Sequence, residues 1–589
     1  MDLGLGELSG VGILTVGVVG IITIVAAGAF SKKLGVAAPL ILIIMGFGFS
    51  YLPGAPTVIP HEIILMGLLP PILYSAAINV PVVDFRRNFN TISALSVVLV
   101  LVTAFGTGYL LYLVFPDLTL AGGIAIGAVI SPTDAVAATA LGKRLGLPPR
   151  LVTILEGESL VNDATALVLL RSAVAAVATT VTFWGVVADF AYAVALAILI
   201  GVVVGYVTVI IRARLSDPKL DTAISFAVPF IAFVPAEYFG ASGVLAVVAA
   251  GLYSGHSSAR RFSAQARISE RLNWRTAQFV LENGVFLLMG LQIKSIIDDV
   301  AGETGVIEAV ELGLFMTLVI VIIRTLFIIP VLYLLRRREA QVERRQGRFS
   351  EMLVRLRAMD LTARLSRRTA RAERLFQRRQ TDFEQLKAEG FGWRGGMILS
   401  WSGMRGVVTL AAAQSLPEGD DAIPYRSQLV LIAFVVAVTT LLVQGGTLPW
   451  LIRASRIRGT DRIADRRELA ELLDEMGEAG VNVLENPDFS LPDGGAIDEE
   501  VIARVRADTL LSAESAWERA ENGIGPKGIA QSPHQQYRAL RREVLQAERA
   551  ALLEARSTGK YPSRILSRAQ VMLDLEETRL EQIDNPSGS

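Results

Sequence analysis

Runs of about twenty apolar residues recur along this chain, each long enough to cross the hydrocarbon core of a bilayer as a helix. They fall near residues 11–31, 36–52, 62–80, 91–115, 119–142, 150–177, 182–211, 221–239, 241–258, 275–297, 306–335, 395–416 and 427–452. Thirteen such runs in 589 residues make the bilayer the expected solvent. Composition agrees: 19% of residues are charged, against roughly 25% in a soluble domain, and the mean hydropathy is +0.48. The chain has no cysteine, which excludes disulfides, thiolate metal sites and cysteine nucleophiles, and its three histidines, His61, His256 and His534, are too scattered for a metal cluster. The acidic start, with Asp2 and Glu7, lacks the basic stretch that opens a signal peptide, so the first run reads as a retained helix.

Lys and Arg collect in alternate loops: Lys32 and Lys33; Arg86 and Arg87; Lys143, Arg144 and Arg150; Arg212, Arg214 and Lys219; and Arg260 through Arg275. Short basic loops stay cytoplasmic, so this alternation predicts the N-terminus outside and the C-terminus inside. Four parts follow: spans one to eleven over 1–335, a basic helical cytoplasmic insertion over 336–394, spans twelve and thirteen over 395–452, and a helical cytoplasmic C-terminal domain over 453–589. The formal charge of zero hides a division. The insertion carries a net +9, the stretch from Gly459 onward a net −9, and the remainder balances. Docking of the acidic tail on the basic insertion is therefore expected.

Ionisable residues inside apolar spans cost ~2.5–3.5 kcal/mol each at the centre of a membrane helix, and they are concentrated at a few places. Span five contains Ser131-Pro132-Thr133-Asp134, where proline removes a donor and clashes with the preceding turn. A helix broken there frees backbone groups, which is tolerated at that depth only where they line a cavity or lie buried in protein. Span six carries Glu158, Ser159, Asn162 and Asp163. Ser159 and Asp163 are four apart, as are Glu158 and Asn162, so each pair shares a helix face one turn apart. Two carboxylates and two neutral oxygens suit a hard cation; the alternative is a structural cluster neutralised by arginine. A carboxylate there can hold a proton or a cation but not both at once, the chemical basis of exchange. Arg324, alone in span eleven, is expected to pair with Glu158. In span twelve, Gly403-Met404-Arg405-Gly406 suggests a second interrupted helix, with Arg405 meeting freed carbonyls or Asp134. Glu237, Glu282, Glu308 and Glu311 read as packing or edge residues, Asn283 as an interhelical hydrogen-bonding group, and Arg171 and Asp189 as solvated near outer ends.

The fold class expected is thus an all-α membrane protein of about thirteen transmembrane helices. Two inverted six-helix repeats would bring the broken helices together as a crossed pair, with the helical insertion and C-terminal domain outside the membrane.

Several separated motifs sit on this frame: Leu69-Pro-Pro-Ile72, Ser131-Pro-Thr-Asp134, Glu158-Ser-Leu-Val-Asn-Asp163, Ala236-Glu237 with Ser242-Gly-Val-Leu, Phe279-Val-Leu-Glu-Asn283, Arg324, Trp401-Ser-Gly-Met-Arg-Gly406 and Leu442-Val-Gln-Gly-Gly-Thr-Leu-Pro449. Together, and in this order, they resemble the monovalent cation/proton antiporters that include the NhaP-type and eukaryotic sodium/proton exchangers. The resemblance implies that Asp163 carries the proton and the cation, that Thr133 through its backbone and Ser159 complete the metal site beside Glu158 and Asn162, that Glu158 pairs with Arg324, and that Asp134 and Arg405 support the broken helices. It further implies a homodimer, alternating access by elevator-like movement, and, with Asn162 in place of a second aspartate, electroneutral exchange. Ser75 departs from the family, many of whose members carry an acid near that position.

The expected activity is exchange of Na+ (or K+) for H+ across a bacterial cell membrane, with no cofactor beyond the transported ions and no nucleic-acid partner. A cation channel reusing the same oxygens, or a K+-selective exchanger regulated by its cytoplasmic domain, are the alternatives. An intramembrane hydrolase is disfavoured, because Ser159 has no Lys or His on nearby turns to serve as its base.

Overall fold

A computed structural model describes residues 10–34, 38–52, 60–178, 183–215, 217–301, 305–357, 392–417, 423–457 and 462–484, and shorter pieces of the tail at 499–506, 517, 540–541, 543–552, 569, 572–573 and 575–576. The ordered elements among these are helices, with no strand. In chain order they are α1 (Gly10–Leu34), α2 (Ala38–Phe49), α3 (Leu69–Asn79), α4 (Val82–Ser93), α5 (Leu99–Val114), α6 (Leu120–Ile130), α7 (Val136–Leu145), α8 (Pro149–Ala178), α9 (Phe183–Arg212), α10 (Pro218–Tyr238), α11 (Gly243–Arg261), α12 (Ala264–Ala301), α13 (Val306–Arg357), α14 (Gly392–Trp401), α15 (Val407–Gln414), α16 (Arg426–Thr440), α17 (Gly446–Ser455) and α18 (Arg462–Leu484). Two compact units divide at Gly459 and Thr460. In the second unit, besides α18, Arg541 Nη2 lies 2.6 Å from Glu576 Oε1.

Among the described residues, seven rods are long and apolar enough to cross a membrane: Val82–Val114, Pro149–Val177, Trp184–Arg212, Pro218–Tyr238, Ala264–Val300, Val306–Arg337 and Arg426–Ser455. Shorter apolar helices accompany them at Gly17–Ser31, Ala38–Phe49, Ile63–Asn79 and Leu120–Ile130. Three rods begin or end beyond the apolar runs. The fourth span opens at Val82, because Asp84, Arg87 and Asn88 are satisfied there: Arg87 lies 3.2 Å from Asp84, and Arg150 donates to Asn88 at 3.1 Å. Polar turns of this kind hide a helix from hydropathy. The tenth opens at Ala264, and α13 runs unbroken past the eleventh span to Arg357. The expected docking of the acidic tail on the insertion falls largely on residues 358–391 and the tail, outside the described residues.

Buried apolar side chains form two main clusters. The larger joins α1, α2, α5 to α8, the second half of α12, and α13 to α17. The second joins α3 and α9 to α11 with Leu160 and Ala164 of α8 and Trp274 of α12. In a bilayer, close van der Waals contact rather than water exclusion holds helices together, so small residues mark the interfaces. Gly127 of α6 lies against the backbone of Ala104 of α5, where a Cβ would overlap the Ala104 carbonyl. That approach carries α6 directly to the break at Pro132.

A buried ionic group ties the second cluster together. Arg212 at the end of α9 donates to both carboxylate oxygens of Asp221 at 2.8 and 2.9 Å and to Glu270 of α12 at 2.7 Å. The Phe262 ring lies 4.3 Å from the guanidinium carbon. Removing one member would strand a buried charge, which costs about 3–5 kcal/mol.

Candidate functional site

Both interruptions read from the sequence are present. α6 stops at Ile130, residues 131–135 are non-helical, and α7 resumes at Val136. Likewise α14 stops at Trp401 and α15 resumes at Val407. The two breaks meet: Asp134 N–H donates to Met404 O at 2.7 Å. Arg405 donates through Nε to Ile130 O at 3.1 Å and through Nη1 to Gly403 O, while its own N–H reaches Thr440 Oγ at 3.0 Å. The arginine therefore serves freed carbonyls rather than Asp134. Asp134 instead accepts from Val136 N–H at 2.8 Å, turning its carboxylate onto the new helix start.

Glycine is required at both ends of this crossing. A Cβ on Gly406 would occupy the space of the Asp134 carboxylate, and one on Gly403 that of the Arg324 side chain.

Beneath the crossing, Arg324 of α13 grips Glu158 of α8 in a two-pronged bond, Nη1 to Oε1 at 2.5 Å and Nη2 to Oε2 at 2.9 Å, and its Nε donates to Leu399 O at 3.0 Å. Thr133 Oγ donates to Glu158 Oε1 at 2.8 Å. Asn162 Nδ2 donates to both Thr133 O and Thr133 Oγ at 2.9 Å. Ser159 Oγ accepts weakly from Ala135 N–H at 3.4 Å. The broken turn and the middle of α8 are thus laced together by side chains the sequence aligned in pairs one turn apart. Asp163 stands apart. It is 7% exposed, yet no hydrogen bond or ion pair joins it to a described residue, and it lines a cavity of about 480 Å³ with Asp134 and Ser159.

Several residues read as peripheral turn out otherwise. Glu282 lines that cavity, held by Gln278 Nε2 at 2.7 Å. Glu237 accepts from Arg171 at 2.5 Å and from Gly243 N–H at 2.9 Å, beside a second cavity of about 440 Å³ that also includes His61 and Glu62. Arg171 is exposed, as the sequence suggests, but it is also paired. Asn283 bonds within its own helix, to Phe279 O at 2.8 Å, rather than across helices. Lys143 and Glu156, 2.7 Å apart at the rim of the first cavity, and Thr409 in its wall escaped the sequence reading. Lys143 and Glu156 lie near span ends, where charge is unremarkable, and a lone threonine in an apolar run carries no signal.

Comparison with known proteins gives the family and a likeness of fold. The sequence model of the family described as sodium/hydrogen exchanger, transmembrane, covers residues 19–454. An uncharacterized Na(+)/H(+) exchanger of Mycobacterium tuberculosis is 29% identical over 587 residues, 96% of this chain and 97% of that protein. The Na(+)/H(+) antiporter ApNhaP of Aphanothece halophytica is 26% identical over 77% of this chain and 75% of its own. Among solved structures, the sodium proton antiporter MjNhaP1 of Methanocaldococcus jannaschii superposes with a TM-score of 0.54 at 15% identity, covering 75% of this chain and 99% of that one, a likeness of fold. The chain is a multi-pass membrane transporter, not an enzyme, and belongs to the sodium/hydrogen exchanger family of cation/proton antiporters.

Proposed function

We propose that this protein exchanges Na+ (or K+) for H+ with one-to-one, electroneutral stoichiometry, and that Asp163 is the group that alternately holds proton and cation. One contrast carries the reading. Glu158 has both oxygens bound by Arg324 and a further bond from Thr133, so its charge is compensated. Asp163, little more than a helical turn on, has no such partner and faces the cavity. A buried carboxylate in that position must be neutralised by what enters. Ser159 and the backbone of Thr133 are the neutral oxygens nearest in the motif, and a set of oxygens with one carboxylate suits a monovalent hard cation. Asn162 holds the turn that carries Thr133. Asp134 and Arg405 keep the two breaks joined.

A single exchanging carboxylate binds either one proton or one cation, which makes the cycle electroneutral. The crossing of two interrupted helices, one in each half of the chain, supports inverted repeats and alternating access, with a homodimer as the expected assembly. The pattern of basic loops supports an N-terminus outside, a C-terminus in the cytoplasm and an Asp163 cavity, lined by Lys143 and Arg271, that opens on the cytoplasmic side of a bacterial cell membrane. The 336–394 insertion and the region beyond 453 are proposed as cytoplasmic regulatory parts.

In proteoliposomes with an imposed cation gradient, wild type moves protons and no net charge, whereas Asp163→Asn is expected to lose at least about a hundredfold in exchange rate, ~2.7 kcal/mol of barrier. Undiminished exchange in the variant, or conductive cation flux without proton movement in wild type, overturns the proposal.

A further inference from the structure

One face of α12 lines the cavity that Asp163 also lines. Arg271, Arg275, Gln278 and Glu282 follow one another at intervals of four, three and four residues, the spacing that aligns side chains along a helix, and all four line the cavity. They descend from surface to interior: Arg271 and Arg275 are exposed, Gln278 and Glu282 half-buried. Eleven residues of helix separate the outermost arginine from the glutamate, roughly 16 Å of depth. The face therefore changes sign, from cationic at the rim to anionic beside the site.

A cationic rim opposes a cation that must enter, so something further in has to restore attraction. Glu282 is placed to do so. Gln278 bonds one of its oxygens at 2.7 Å and no described residue forms an ion pair with it, unlike Glu156 at the rim, which Lys143 neutralises at 2.7 Å. Glu282 lines the same cavity as Asp134 and Asp163. Thr409 is an independent sign that this space takes a polar guest. The residue is 1% exposed, lines the same cavity, and its hydroxyl has no hydrogen-bond partner in the protein. Buried hydroxyls are nearly always satisfied, so the Thr409 oxygen is fitted to a hydrated or partly dehydrated cation passing between α12 and α15.

Resting on the antiporter reading above, we infer that Glu282, with Thr409 in the same cavity wall, is a capture station for the incoming cation: an acidic group that raises cation concentration beside Asp163. Charged clefts with low-dielectric walls concentrate ions of opposite sign about tenfold or more. Glu282 is thus a positioning residue for the substrate, and removing its charge affects binding and not turnover.

The test uses everted membrane vesicles containing the full chain, so that added Na+ meets the cytoplasmic face, with proton movement as readout and Asp163→Asn vesicles as background. Glu282→Gln, which keeps the shape and the Gln278 contact, is expected to raise KM for Na+ roughly three- to tenfold while Vmax stays within about twofold. The increase shrinks as ionic strength is raised with an inert organic salt. Glu282→Asp is expected to stay near wild type, and Arg271→Gln to lower KM. An unchanged KM in Glu282→Gln, equal impairment of the Gln and Asp variants, or an unchanged or raised KM in Arg271→Gln overturns the inference. Should Glu282→Gln fail to accumulate, Glu282→Asp and Arg271→Gln carry the same comparison. Exchange that survives Asp163→Asn sinks the antiporter site itself, whereas a silent Asp163→Asn with a wild-type KM in Glu282→Gln sinks only the capture station.

Discussion

Two of the ion pairs on helix α8 are built to opposite specifications. Glu158 and Arg324 are each 2% exposed, doubly bonded, and reinforced by Thr133 and Leu399 O. Thirteen residues along the same helix, about 20 Å away, Arg171 meets Glu237 of α10 with the arginine 52% and the glutamate 22% exposed. The first pair joins α8 to the larger apolar cluster, which also contains α13. The second joins it to α10, a member of the other cluster. A buried pair cannot open without stranding charge, whereas an exposed one exchanges its partner for water at a cost of about 0–1 kcal/mol. The helix bearing Asp163 is thus tied to α13 by a pair that cannot open without stranding charge, and to α10 by one that opens at little cost.

The largest effect lies at the buried pair. Arg324→Met leaves Glu158 unpaired and is expected to cost about 3–5 kcal/mol, seen as loss of folded protein by fluorescence-detected size exclusion, with substantial recovery in Glu158→Gln/Arg324→Met. Recovery matters more than loss, since it separates stranded charge from lost packing. Wild-type yield in the single variant would put the two pairs in one class.

The exposed pair is tested by preventing its release. Because the chain has no cysteine, Arg171→Cys/Glu237→Cys introduces the only two thiols. Bridging them with a short bifunctional methanethiosulfonate is expected to stop exchange, and reductant to restore it. Full activity in the bridged protein would mean that α8 and α10 keep their separation throughout the cycle. The smallest effect belongs to Glu237→Gln, which weakens the pair and keeps the Gly243 contact: stability within about 1 kcal/mol of wild type, read as a small shift in Tm, with exchange retained. A loss as large as that of Arg324→Met would make this pair an anchor too.

The legibility of these features differed for physical reasons. The break at Pro132 was readable because proline acts locally on its own helix, and that at Gly403 to Gly406 because clustered glycines and a charge mark the same irregularity. The alignment of Ser159 with Asp163 followed from helical pitch. Arg324 was nameable as the partner of Glu158, 166 residues away, only because so few basic residues occur inside apolar spans. Elimination failed for Arg405, where carbonyls and Asp134 were both available, and packing chose the carbonyls. It failed again at Glu282, in the middle of α12, where spacing alone does not say which neighbour that face meets.

Local rules therefore determined that the chain is a membrane protein of many helices, where two of them break, and which oxygens share a face of α8. Those properties depend on pitch, proline geometry and the cost of charge in lipid, all of which act over a few residues. Tertiary packing decided that Glu158 is neutralised while Asp163 is left facing a cavity, that α12 turns its charged stripe toward that cavity, and that Arg171 reaches across to α10. Each depends on how one helix is rotated against another, a quantity set by the fit of small residues such as Gly127 against Ala104 and by no local spacing.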